Sequence, residues 1–303
     1  MISFLFITPS VAHLRLNAAQ REPSILFGVC SSPNEPYRLR VDTQIKTWMS
    51  NLSSEEVLFT GTEAPVGMQG RFSWEPTGCP DNHDGESCKE KHLLKIAWKR
   101  DIEWVWILND DHYVFPTAVK RALQAYDPEL PVILGTPGCG DDKCGGMCGG
   151  GGELISRGAL KRMFEKGSDN FDQEYNASIV KCDFWGDLAT SETAKHHGVS
   201  LESIRGVYGW HKETDEIREL IDAGQTNETA PLLFHYVSPE QMFEIHSYWN
   251  KSSSGTAAYA NSRTVLNTSI TFRAFKATYD AEVAEYLRYA NSCIYSKKKN
   301  LRC

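Results

Sequence analysis

Glu103-Trp-Val-Trp-Ile-Leu-Asn-Asp-Asp-His-Tyr-Val-Phe115 is the stretch from which the rest of the chain is read. Trp104 to Leu108 is short, wholly apolar and rich in aromatic and β-branched side chains. That is the pattern of a strand buried on both faces of a parallel sheet. The run ends abruptly in Asn109, Asp110, Asp111 and His112. Ligands of open α/β sheets bind just past the carboxyl ends of the strands, where this polar group would lie. Adjacent carboxylates there are hard oxygen ligands suited to Mg²⁺ or Mn²⁺ carrying a phosphorylated substrate. By themselves they are equally a polar turn closing a strand.

Towards the N-terminus, Ile25 to Val29 reads as a buried strand and Val57 to Thr60 as another. Between them Val41, Ile45, Trp48 and Met49 mark one face of an amphipathic helix. This β-α-β order requires a right-handed crossover and a parallel pair. Gly67 to Ser87 is polar and reads as a loop, with Asp81, His83 and Asp84 solvated rather than metal-bound. Lys91 to Arg100 is then a helix feeding the Trp104 strand.

Towards the C-terminus, Pro116 suits the first turn of a helix running to Tyr126, and Val132 to Leu134 is the next strand. In Gly135 to Gly152 glycine is the commonest residue, as in a backbone that turns sharply or lies against a ligand. Helices follow at Arg157 to Phe164 and Gly186 to His197, with His196 and His197 at the solvated end of the second. Leu232 to Tyr236 is a strand holding His235. The expected organisation is an N-terminal segment (1–23), one α/β domain (24–250) and a small C-terminal appendage (251–303). The appendage would carry a strand near Ile270, a helix near Asp280 to Tyr289 and a basic tail.

A hydrophobic fraction of 41% and a charged fraction of 23% over 303 residues are ordinary for a soluble globular protein. The formal charge of −7 argues against a nucleic-acid partner. No stretch approaches the ~20 apolar residues of a membrane span; the apolar start, Met1 to Ile7, lacks a basic flank and reads as the remnant of a signal or anchor, or as a loose start. The chain has nine cysteines. Cys79 with Cys88, and Cys139 with Cys144 or Cys148, close short polar loops as secretory disulfides do. A zinc reading of Cys139, Cys144 and Cys148 lacks the usual ligand spacing. Cys30, inside an apolar strand, is expected to be the free thiol. N-glycosylation sequons begin at Asn51, Asn176, Asn227, Asn250 and Asn267. These features predict the secretory pathway, in the Golgi or endoplasmic reticulum lumen or secreted.

Four blocks, in order, resemble the Fringe-type glycosyltransferases, the family 31 group that includes Fringe and the core 1 β1,3-galactosyltransferases. They are Trp104 to Val114, Gly149-Gly-Gly-Gly-Glu-Leu-Ile-Ser156, Gly186-Asp-Leu-Ala189 and Phe234-His-Tyr-Val237. The resemblance extends over roughly Ile25 to Trp249. It implies a GT-A fold, a Rossmann-like and mostly parallel sheet flanked by helices, that binds a UDP-sugar with Mn²⁺. The implied enzyme is a metal-dependent hexosyltransferase, moving a hexose or N-acetylhexosamine with inversion to a glycan or glycoprotein, through a β1,3 linkage. Carried over by position, Asp111 and His235 become the metal ligands and Asp187 the catalytic base. Asn109 and Asp110 meet the nucleotide, and Gly149, Gly150, Gly151 and Gly152 line the sugar side.

Elementary chemistry agrees with these roles. A cation neutralises charge developing on a diphosphate leaving group, an aspartate takes the proton of an attacking hydroxyl, and a carboxylate with an imidazole suits Mn²⁺ better than Mg²⁺. The local alternatives are Asp187 as a helix N-cap and His235 as a core histidine. Asn109 stands where the family has an acid, and Glu153 where it has an aromatic residue. Trp185, Tyr208 and Trp210 are candidates for stacking on an acceptor sugar, or for core packing. The rival function is a secreted sugar- or nucleotide-binding protein that kept the fold without turnover.

Overall fold

The computed structural model describes residues 21–63, 71–226 and 230–253. The expected N-terminal segment, up to residue 20, and the expected C-terminal appendage, from 254, lie outside these residues. The chain begins β1 (Ile25–Cys30), α1 (Tyr37–Lys46), β2 (Val57–Gly61), β3 (Ser73–Pro76), α2 (His83–Arg100), β4 (Trp104–Asn109), β5 (Tyr113–Val114) and α3 (Pro116–Leu123). It continues β6 (Val132–Gly135), β7 (Pro137–Gly140), β8 (Gly145–Met147), β9 (Glu153–Ser156), α4 (Arg157–Met163), α5 (Ser168–Lys181) and α6 (Gly186–His196). The last elements are β10 (Ser200–Ser203), β11 (Val207–Tyr208), α7 (Thr214–Thr226), β12 (Leu233–Phe234) and α8 (Pro239–Ser253).

Seven strands form the central sheet in the order β10-β6-β9-β4-β1-β2-β3. β4 and β2 flank β1 in parallel, as the β-α-β reading requires. Within β1 and β4 alternate side chains go to opposite faces, the period of a strand. Phe27, Val29, Trp104, Trp106 and Leu108 join one core with residues of α1, α3, α7 and α8. Leu26, Val105 and Ile107 join a second with α2, α4, α5 and α6. With both faces covered, each large apolar side chain is removed from water, worth roughly 1.5–3 kcal/mol apiece. This is the Rossmann-like, mostly parallel sheet flanked by helices that the family resemblance implies.

Several expectations are corrected. The stretch read as a polar loop up to Ser87 contains edge strand β3, and α2 already starts at His83. Asn82 caps that helix, accepting the Gly85 N–H at 3.0 Å through its side chain, and Asp84 and Glu86 follow in the first turn, where carboxylates suit the helix dipole. Gly85 lies so close to the Pro80 carbonyl that a side chain would not fit. The glycine-rich segment holds the two-stranded ribbon β7–β8. β9, absent from the sequence reading, runs antiparallel between β4 and β6. α3 ends at Leu123, and β12 has two residues where five were expected.

Cys79–Cys88, Cys139–Cys148 and Cys144–Cys182 are disulfides. The last joins the glycine-rich segment to the end of α5, a pairing that spacing did not predict, and it removes the zinc reading. Cys30 is a buried free thiol. Among the described residues no helix is long and apolar enough to cross a membrane.

Candidate active site

Beyond β4 the three polar residues go three ways. Asn109 donates through Nδ2 to Glu86 Oε1 at 2.6 Å. Asp110 accepts from the Ser31 hydroxyl at 2.5 Å and pairs with Arg40 at 3.3 Å. Burial raises the Asp110 carboxyl to about 6, against the opposing pull of Arg40 and Ser31. Asp111 turns to the far side, towards His235. Gln44 Nε2 fastens the bend, donating to the carbonyls of Asn109 and His112 at 3.1 and 3.0 Å.

A second, three-stranded sheet, β11-β12-β5, brings His235 to this exit. β12 pairs antiparallel with β5, Phe234 opposite Tyr113. Continuing that register by one residue sets His235 opposite His112, and their rings stack at 4.6 Å. His235 Nδ1 donates to the Gly209 carbonyl at 3.0 Å, which leaves Nε2 facing Asp111 Oδ1 at 3.5 Å. That buried oxygen makes no hydrogen bond. Burial would raise the Asp111 carboxyl, but the His235 imidazole holds it well below the usual carboxylate range. Burial lowers His235 and the Asp111 charge more than offsets it, so the imidazole is raised.

Asp111, His112 and His235 place their ligand atoms within 4.8 Å of one another. Both nitrogens of His112 are engaged, however. Nδ1 accepts the Asn109 N–H at 2.7 Å and Nε2 donates to the Gly150 carbonyl at 3.2 Å. Burial and the neighbouring His235 depress His112 to about 4, which keeps it neutral. The unengaged pair is Asp111 Oδ1 and His235 Nε2, a hard oxygen with an imidazole nitrogen, a donor set that fits a divalent transition metal.

Asp187 lies in the first turn of α6, two residues past the cap position, which Trp185 occupies. It is therefore not the N-cap. Its Oδ2 accepts the Gly149 N–H at 2.6 Å and its Oδ1 the Leu188 N–H at 2.8 Å. The next residue, Gly150, lies so close to His235 that a Cβ there would stand 2.5 Å from Nδ1. The glycine strap is thus pressed between the helix carboxylate and the imidazole. Gly152, at φ +62, has the Trp106 indole and the Ile107 carbonyl in the place of a side chain.

A cavity of about 250 Å³ opens at the carboxyl ends of β1 and β4, lined by Ser31, Tyr37, Glu86, Lys89, Asn109 and Asp111 among others. Glu86 falls in the first turn of α2, which reads as part of the loop before Lys91. The capping pattern at Asn82 was the available signal. Burial lifts Glu86 to about 7, its bond from Asn109 opposing and the Asp187, Asp111 and Asp110 charges adding. Asp81 is held by Lys89 at 2.7 Å and by Thr62 at 2.9 Å. Glu153 is buried on β9 against Ser191 of α6. Tyr208 stacks on Phe234 at 5.0 Å in the core, whereas Trp210 is 55% exposed. His197 pairs with Glu174 at 2.5 Å, with its side chain largely buried, so only His196 is solvated as expected.

The family model described as Fringe-like matches residues 22–185, more than half of the chain. The chain belongs to the Fringe-like family. It is 27% identical over 135 residues to the human β-1,3-N-acetylglucosaminyltransferase lunatic fringe, covering 43% of this chain and 35% of that protein. To the human manic fringe enzyme it is 29% identical over 106 residues, or 33% and 32% of the two chains. The chain thus spans about a third of the length of the curated relatives it matches. Among solved structures it is similar to the glycosyltransferase GlyE of Streptococcus pneumoniae TIGR4, with TM-score 0.44 and 13% identity over 78% of this chain and 64% of that one. It is also similar to the galactosyltransferase LgtC in complex with donor and acceptor sugar analogues, with TM-score 0.42 and 12% identity over 77% and 97%. Scores at this level leave the fold to be read from the strands themselves.

Proposed function

We propose that this Fringe-like protein is an inverting hexosyltransferase. It moves a hexose or N-acetylhexosamine from a UDP-sugar to a glycan or glycoprotein, through a β1,3 linkage. The observation that carries the reading is the strap Gly149–Gly150, which receives Asp187 on one residue and His235 on the next. A base and a metal-binding pair then face one cleft. Residues 24–250 form the transferase domain in this reading.

Asp111 and His235 would hold a divalent cation, Mn²⁺ by the softness of the imidazole. When bound, the cation offsets charge gathering on the UDP leaving group. Asn109, Asp110 and Glu86 border the nucleotide cavity, where carboxylate and amide oxygens accept from ribose hydroxyls. The glycines of 149–152 let the sugar approach the backbone. Asp187, half-buried and already fixed by two backbone N–H groups, takes the proton of the acceptor hydroxyl. As that oxygen bonds to the anomeric carbon, the bond from carbon to diphosphate oxygen breaks on the opposite face. The proton on Asp187 then leaves to water, and exposed Trp210 offers a face to the acceptor sugar. Three disulfides suit an oxidising lumen, which supports a Golgi or endoplasmic reticulum address.

Asn109, in place of a family acid, favours the second reading, a binding protein without turnover. UDP release with Mn²⁺ across a panel of UDP-sugars and acceptors separates the two. The transferase reading expects turnover that falls roughly 10²–10⁴-fold in Asp187→Ala while UDP binding persists. Binding without turnover for every donor would leave the binding protein standing.

A further inference from the structure

We propose that Glu153 is a positioning residue for Asp187: by gripping the hydroxyl-bearing face of α6 it fixes the rotation at which that helix presents its carboxylate to the cleft. This rests on Asp187 being the base.

Glu153 opens β9, opposite Ile107 in the ladder, so it stands beside the exit of β4 and is only 2% exposed. The Ser191 hydroxyl approaches its Oε1 at 3.4 Å, and Thr190 also bonds to it. Ser191 lies one turn beyond Asp187, on the same face of α6. Its hydroxyl also accepts the Met147 N–H at 2.9 Å. The segment 147–149 is therefore tied to α6 at Ser191 and again at Asp187. Glu153 meets the first of these ties from the sheet side. Glu90 of α2 fills the space that Gly186 leaves open, and the Tyr175 hydroxyl joins Glu90 to Thr190 at 3.4 and 2.9 Å. The charged groups facing this pocket are carboxylates, Asp187 from α6 and Glu90 from α2.

Burial, and then the Asp187 charge, push the Glu153 carboxyl well above its usual range. The shift favours the neutral form of Glu153, whose shape an amide shares. Its Oε2 has no protein partner. That unpaired atom costs stability, and the bonds from Ser191 and Thr190 to the carboxyl oppose the cost. The carboxyl thus joins β9 to the helix that carries Asp187, and a base is oriented by such supports.

The test compares Glu153→Gln, Glu153→Leu and Ser191→Ala in the full chain. It reads kcat and donor KM, thermal midpoint, and hydrogen exchange at the Gly149 and Leu188 amides, the two that bond Asp187. Glu153→Gln is expected to keep kcat within about threefold with the acid limb of its pH profile in place. Glu153→Leu and Ser191→Ala are expected to lose roughly 10–100-fold in kcat at unchanged donor KM. The same two variants should exchange both amides about tenfold faster. Wild-type protection of the two amides in Glu153→Leu and Ser191→Ala overturns the proposal, and so does a Gln variant as impaired as the Leu variant. If the wild type turns over no donor, the transferase reading falls and the amide exchange alone decides the role of Glu153.

Discussion

Asp111 Oδ1 lies 3.5 Å from His235 Nε2, although one follows a strand of the large sheet and the other a two-residue strand of the small one. The antiparallel register of β5 with β12 produces this meeting. Two buried heteroatoms face each other here, and the hydrogen bond from Nδ1 to Gly209 sets which ring nitrogen is turned to the carboxylate.

A divalent cation added to the protein should therefore bind at this pair and raise the thermal midpoint, because a ligand of the native state stabilises it by mass action. Asp111→Asn and His235→Ala should each weaken Mn²⁺ binding by about tenfold or more, measured by calorimetry. Equal Mn²⁺ affinity in wild type, Asp111→Asn and His235→Ala would place the cation elsewhere.

Glu86 makes stability fall with rising pH. An unfolded chain releases this proton near the ordinary value of 4.5, while the buried carboxyl keeps it to about 7. Between those values the native state binds more protons than the unfolded one, so stability declines as pH rises through the window. The whole effect is on the order of 3 kcal/mol. Glu86→Gln keeps an oxygen for Asn109 and lacks the titration. Urea denaturation at pH 4, 6 and 8 should show the variant gaining on the wild type across the series; parallel pH profiles would refute it.

Removing the Cys144–Cys182 bridge should loosen the strap from the helix that follows. Its ends are 38 residues apart, and a loop of that length gives about 4 kcal/mol of chain-entropy stabilisation. The double variant Cys144→Ser/Cys182→Ser is expected to lose a few kcal/mol in denaturation. Its acceptor KM should rise more than its UDP affinity falls, since neither cysteine lines the cavity at β1 and β4. A variant as stable as the wild type would show that the strap is held by its hydrogen bonds alone.

The buried strands were legible because both of their faces are covered, which leaves an uninterrupted apolar run such as Trp104 to Leu108. Asp111, Asp187 and His235 stand out by type and by resemblance; the fold brings Asp111 to 3.5 Å from His235 and seats Asp187 and His235 against the adjacent Gly149 and Gly150. β9 was not legible: Glu-Leu-Ile-Ser is too short, and a buried carboxyl at its head contradicts the usual strand pattern. Glu86 was hidden for a related reason, since the polar first turn of α2 reads like the loop before it.

The amino-acid order by itself determined the β-α-β frame, the polar exit of the central strand and the free thiol at Cys30, all set by local apolar patterning. Only the tertiary structure decided that both ring nitrogens of His112 are bonded, that Cys144 pairs with Cys182, and that Glu153 faces α6. Each of these depends on which groups from distant segments compete for the same buried hydrogen bonds and bridges. Local sequence carries no record of that competition.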